Sequence, residues 1–235
     1  MKKFVTALAA FALLAALGGA AVPASSHQAT PKLKLVASGN AEIGWAIGPD
    51  SPLDKGRSAL NMAINGPTDG INYTNAFSNK WLTKDDGGLT KVPIGSIRNL
   101  SFDFLNTSGG GYVAGGSPRI SIVFTNGPTA FLQAGDCDNV ISGSGGMWSR
   151  ADFTGQKAIG CRIYSDGQYF ASDGTHSAWY TFVAAHPGLY ADYGVVVQDE
   201  SDSGPMRARI DRIAMQNYMQ ESASRVVKCP LESSC

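Results

Sequence analysis

The chain has 235 residues and carries 19 lysines and arginines against 19 aspartates and glutamates, so its formal net charge is zero. Without a basic block, that balance argues against nucleic acid or an anionic membrane surface as the main partner. A charged fraction of 16% beside 43% hydrophobic residues is not a disorder signature, and 28 glycines with 11 prolines suit many short strands joined by tight turns.

Lys2 and Lys3 lead into an apolar run, Phe4 to Val22, that ends in the small-residue exit Val22-Pro23-Ala24. This is the pattern of a secretory signal peptide over residues 1–24, cut after Ala24 or, as a second choice, Ala21. The run is just long enough to span a bilayer, but Gly18, Gly19 and Pro23 break it near its end. No later segment approaches that length, so no membrane span is expected in the mature chain. The expected location is secreted, extracellular or at the cell surface, where cysteines are free to oxidise.

Residues 25–32 read as a flexible leader, and Leu33 to Ala37 alternate as a first strand. Residues 38–57, rich in Gly, Pro and Asp, read as a long irregular loop. Ser58–Ile64 and Asn72–Phe77 are strands separated by a turn over Asn65–Gly70, and Asp85-Asp86-Gly87-Gly88 signals another turn. Ile97–Leu105 alternates with Leu100, Phe102 and Phe104 on one face. After the glycine-rich stretch Thr107–Gly116, Arg119–Phe124 and Thr129–Gln133 form a hairpin, and Ser142–Gly146 makes a second glycine-rich loop before Trp148. Segments 158–164 and 168–171 flank Ser165-Asp166-Gly167 as a further hairpin.

One helix is predicted over Ser177–His186, capped by Asp173 or Thr175, with Trp179, Phe182 and Val183 on one face and Pro187-Gly188 as its stop. Tyr193–Gln198 and Met206–Ala214 are the last strands. Many strands with a single late helix predict an all-β fold, an antiparallel two-sheet β-sandwich of jelly-roll-like type, with one short helix near residues 177–186. The domain is expected over residues 33–217, with 218–235 as a C-terminal tail.

The four cysteines, Cys137, Cys161, Cys229 and Cys235, admit three pairings. Cys137–Cys161, flanking two neighbouring strands, with Cys229–Cys235 closing a short terminal loop, is the preferred arrangement. A zinc site competes, but no CxxC occurs and the three histidines are distant in sequence.

Sugar-binding surfaces lay flat aromatic rings against the C–H face of a pyranose and bond its hydroxyls through nearby amide and carboxylate groups. Aromatics expected on loops are Trp45, Trp81, Tyr112, Trp148 and Tyr169, and any one of them could equally anchor a core. The candidate ligand-binding set is Trp81, Tyr112, Trp148, Arg150 and Asp152, because Trp148 sits beside a glycine run and two charged neighbours. Trp179 reads as core. Arg119 is expected to pair with a carboxylate such as Asp103. No candidate catalytic residue emerges: no carboxylate pair clusters in sequence, no Gly-x-Ser-x-Gly elbow occurs, and the glycine runs match no phosphate loop.

Three phrases together carry a resemblance: Gly115-Gly116-Ser117-Pro118-Arg119, Trp148 with Asp152-Phe153-Thr154-Gly155, and Trp179…Phe182…His186-Pro187-Gly188 followed by Tyr193–Asp199. Over roughly residues 97–215 they resemble a group of uncharacterised secreted bacterial β-sandwich proteins. The layout is also similar to jelly-roll carbohydrate-binding modules, through Asn40-Ala41-Glu42-Ile43-Gly44-Trp45 and Arg209-Ile210-Asp211. That resemblance implies a structural calcium held by Glu42 and Asp211 as the one cofactor, although Arg212 stands where a second acidic residue usually follows. The expected function is non-catalytic binding of cell-wall or extracellular polysaccharide. A structural domain that contacts a surface protein is the first alternative, and a polysaccharide hydrolase or lyase the second.

Overall fold

The computed structural model describes residues 32–46, 58–65, 73–77, 91–106, 118–137, 148–155, 160–198, 206–216 and 218–229. The expected signal segment 1–24 and the candidates Trp81, Tyr112 and Cys235 lie outside these residues. The described strands are β1 (Lys34–Ser38), β2 (Ala41–Ala46), β3 (Ala59–Ile64), β4 (Tyr73–Phe77), β5 (Val92–Pro93), β6 (Leu100–Asn106), β7 (Arg119–Phe124), β8 (Ala130–Gln133), β9 (Trp148–Asp152), β10 (Arg162–Ser165), β11 (Gln168–Ala171), β12 (Tyr190–Gln198), β13 (Met206–Met215), β14 (Tyr218–Gln220) and β15 (Val226–Lys228). Among the described residues the single α-helix, α1 (Ala178–Ala185), falls between β11 and β12.

These strands form two antiparallel sheets. The first runs β1-β4-β12-β7-β8-β10-β11, with β5 also on β12. The second is built on β13, which carries β3 and β2 on one edge, β14 and β15 further along, and β6 then β9 on the other. The chain crosses between sheets repeatedly, so the architecture is the all-β, two-sheet sandwich expected. No helix among the described residues is long and apolar enough to cross a membrane.

Period-two alternation decides which side chains meet between the sheets. Ile120, Ile122 and Phe124 of β7, Leu132 of β8 and Ile163 of β10 come from the first sheet, and Leu100, Phe102 and Phe104 of β6 and Ile210 of β13 from the second. All belong to one buried cluster. Phe102, Phe153 and Phe182 are among its largest fully buried side chains, and each such burial contributes about 1.5–3 kcal/mol. Trp179 belongs to this core, and its ring lies 5.5 Å from that of Phe182.

Several local expectations are corrected. The stretch read as irregular loop after residue 38 contains β2, whose Ile43 and Trp45 lie in register with Met62 and Leu60 of β3. Gly44 and the flanking turn residues mask that alternation in the sequence. Neither Asp173 nor Thr175 caps the helix: the Ser177 side chain accepts from the Tyr180 N–H, while Asp173 accepts from the Thr175 and His176 N–H groups one turn earlier. Within the expected tail, Tyr218–Gln220 and Val226–Lys228 continue the second sheet, because β14 pairs with β13 and β15 with β14. The Asp166–Gly167 turn between β10 and β11 holds both residues at positive φ, 48° and 76°, which is the geometry that favours an Asp-Gly hairpin.

Cys137 and Cys161 are bridged, and both are buried. Cys229 is also disulfide-bonded. The first bridge ties the end of β8 to the start of β10, and it is compatible with an extracellular, oxidising environment.

Candidate functional site

The outer face of the second sheet receives the predicted residues of β9. Trp148, Arg150 and Asp152 stand at alternate positions, in register with Leu105, Asp103 and Ser101 of β6. One face of one strand therefore does collect them, but their partners differ. Arg150 places one guanidinium nitrogen 2.9 Å from Asp103 Oδ1 and the other 2.9 Å from Ser101 Oγ. Asp152 Oδ1 accepts the backbone N–H groups of Thr154 (3.2 Å) and Gly155 (2.9 Å), closing the turn that leaves the strand. A Cβ at position 155 would meet Asp152 Oδ2 at 2.7 Å, so any larger residue there would force the carboxylate to shift. Trp148 is half-buried.

Asp103 pairs with Arg150 rather than with Arg119, which lies in the first sheet. Across β13, Asp211 stands directly opposite Asp103, so two carboxylates far apart in sequence become neighbours about 5 Å apart at Cβ. Both are buried, at 3% and 1% exposure. Asp211 accepts the Arg212 N–H at 2.8 Å, where the strand bulges and Arg212 takes φ 46°. Each carboxylate thus has a charged or N–H partner, and neither is presented to solvent.

Glu42 accepts from Asn65 Nδ2 at 3.3 Å and lies against Ala63 on β3, which in turn opposes Arg207. Strand spacing and rise place Glu42 about 16 Å from Asp211, so the two do not converge. Among the described residues no group of three or more His, Cys, Asp or Glu is placed to hold a metal ion.

The outer face of the first sheet carries a second feature. Ser121 of β7, Phe131 of β8, Tyr164 of β10 and Tyr169 of β11 stand in one cross-strand row. Phe131 and Tyr164 are stacked with centroids 6.2 Å apart, and Tyr164 and Tyr169 tilt at 5.1 Å. The inward alternates of the same strands, Leu132, Ile163 and Phe170, face the core, so this row faces away from it. The row ends at the sheet edge with Tyr169 at 56% exposure. One position along, Arg119 opposes Gln133, and the β8–β10 register sets Arg162 next in that line. The Arg119 guanidinium lies 5.1 Å from the Phe131 ring centre and that of Arg162 lies 5.2 Å from the Tyr169 ring centre.

The sequence places Tyr169 among the loop aromatics. It sits instead on an edge strand, and Phe131 and Tyr164 join it. The only sequence signal for them is alternation within two hairpins, which shows that they share a face without saying which face is covered.

The fold and these two faces define a bridged, all-β sandwich with an aromatic row on one sheet and a set of buried, partnered charges on the other. No family model matches the sequence, and no curated protein matches it. One solved structure, the binding domain of Paraclostridial Mosquitocidal Protein 1, is similar over 81% of this chain at 11% identity, with a TM-score of 0.37. The matched region spans 44% of that structure's chain. At that distance the likeness bears on neither fold nor function.

Proposed function

We propose that this is a secreted, non-catalytic protein that binds cell-wall or extracellular carbohydrate through the outer face of its first sheet. The row Phe131–Tyr164–Tyr169 supports the reading: three rings in register on adjacent strands, running to an exposed edge. A pyranose offers an apolar C–H face to such a row, and its hydroxyls find donors and acceptors in Gln133 and Arg162 alongside. Strands hold the rings, so little conformational entropy is lost on contact.

The candidate set around Trp148 has a smaller part in this reading. Arg150 and Asp152 already serve the Asp103 pair and the Thr154–Gly155 turn, which leaves Trp148 as the ring at the border of that face. Tyr and Arg are also enriched where proteins bind proteins, so a surface protein is the competing ligand.

Affinity electrophoresis of the exported protein through gels cast with a panel of neutral and acidic polysaccharides tests the proposal. At least one polymer should retard it. The Y164A/Y169A variant should lose about tenfold or more in affinity for that polymer. A protein that migrates freely through every gel, while pulling down a surface protein, would transfer the role to the competing ligand.

A further inference from the structure

We infer that the outer face of the second sheet holds a site for a small organic carboxylate, seated between Arg209 and Asn61 over Gly44. The site lies on the other sheet from the aromatic row and does not depend on the carbohydrate reading. Arg209 is 9% exposed, and its one hydrogen bond among the described residues runs from Nη2 to the Ala46 carbonyl at 2.8 Å. Its Nε is buried and donates to nothing. No carboxylate of the described residues pairs with it: Asp103 holds Arg150, and Asp211 accepts the Arg212 N–H. A buried guanidinium with no counter-ion and an unmet donor is among the costlier groups a fold can carry. Its retention points to a partner from outside the chain. Water would satisfy Nε without neutralising the charge.

The register locates that partner. Gly44, Asn61 and Arg209 stand side by side on β2, β3 and β13, and Ala46 and Ala59 form the next row. Their neighbours Ile43, Leu60, Met62, Ala208 and Ile210 pack in the core, so these rows face away from it. To reach Ala46 the Arg209 side chain crosses β3, which lies between β13 and β2. No heavy atom of the described residues lies within 4 Å of the place a Cβ on Gly44 would take, so the floor beside this crossing is bare. The half-buried Asn61 carboxamide, with no hydrogen bond of its own among these residues, offers a second N–H donor. A guanidinium edge and an amide N–H over a bare glycine match the two oxygens of a planar carboxylate. Asp211, two positions from Arg209 on the same face, and Asp103 opposite it set a negative field that disfavours a phosphate dianion. A single negative charge is enough to balance Arg209.

The test titrates the exported protein with acetate, with its neutral isostere acetamide and with inorganic phosphate, sodium chloride holding the ionic strength constant. The readout is the Arg209 Nε–H signal in proton–nitrogen correlation spectra, identified by its loss in R209K. Acetate should move that signal and saturate with a dissociation constant of about 1–10 mM, and acetamide should leave it in place. The N61D variant supplies a carboxylate beside Arg209 from within the chain. It should melt about 2–4 °C above wild type at pH 7 and respond to acetate at least tenfold more weakly. A signal that does not saturate with acetate overturns the inference, as does an equal response to acetamide. An N61D variant that melts below wild type, or that binds acetate as wild type does, overturns it as well. Phosphate bound as tightly as acetate overturns the carboxylate assignment.

Discussion

Removing the Cys137–Cys161 bridge should cost the domain a large share of its stability. The bridge spans 24 positions, and in the loop-entropy account a cross-link of that span removes about 3.5 kcal/mol of unfolded-state freedom at 25 °C. Domains of this size move about 2–4 °C per kcal/mol, so the C137A/C161A variant should melt roughly 7–14 °C below wild type. Alanine avoids placing a hydroxyl at two sites exposed by only 3% and 1%. Reduction of wild type is a weaker test, because Cys229 is also bridged and both bonds would open together. Urea unfolding followed by fluorescence gives the free energy directly. The slope should rise slightly, since an uncrosslinked chain exposes more surface when it unfolds. A loss below about 1 kcal/mol, with unchanged slope, would refute the reasoning and show that the unfolded chain is held together by something other than this bond.

Other expectations concern the outer faces. R150M removes the guanidinium that lies 2.9 Å from buried Asp103. It should cost about 2–3 kcal/mol in chemical denaturation, below the usual toll for a fully buried pair because Arg150 keeps part of its side chain in water; the double variant R150M/D103L should recover most of that. G155A should destabilise by about 1–2 kcal/mol, because its Cβ displaces the Asp152 carboxylate from two N–H donors, and adding D152A should cost little more. W148A should leave polysaccharide retardation within about twofold of wild type if the aromatic row of the first sheet is the site; a larger loss would move the site to the second sheet. Hydrogen bonds from the His176 side chain, then from the His176 and Thr175 N–H groups, lower the Asp173 pKa from 3.8 to about 2. A depressed carboxylate stabilises the fold above its unfolded pKa and loses that contribution as pH falls. The melting-temperature gap between wild type and D173N should therefore be present at pH 6 and close between about pH 4 and pH 2; a gap independent of pH would contradict it.

Much of the fold was legible in one dimension. Alternation over Arg119–Phe124, the Asp166–Gly167 turn and the Trp179–Phe182 spacing are local patterns, and local geometry reproduces them within a residue or two. β2 was lost because Gly44 and the turn residues around it look like loop, and its alternation is visible only when β3 is placed beside it. The candidate site was legible in part. Trp148, Arg150 and Asp152 share a strand face because i, i+2, i+4 spacing requires it. The partners of Arg150, Asp103 and Ser101, come from a strand about fifty positions upstream, and no local signal points to them.

The sequence by itself determined the β-rich class, the turns and the helix, since these follow from backbone preferences and the periodicity of apolar side chains over a few neighbours. Only the tertiary structure decided which face of each strand is buried, which brought Asp103 opposite Asp211 and aligned Phe131, Tyr164 and Tyr169 outside. The reason is physical: register between strands is set by the packing of both sheets at once, and a cross-strand row exists only after that packing is complete.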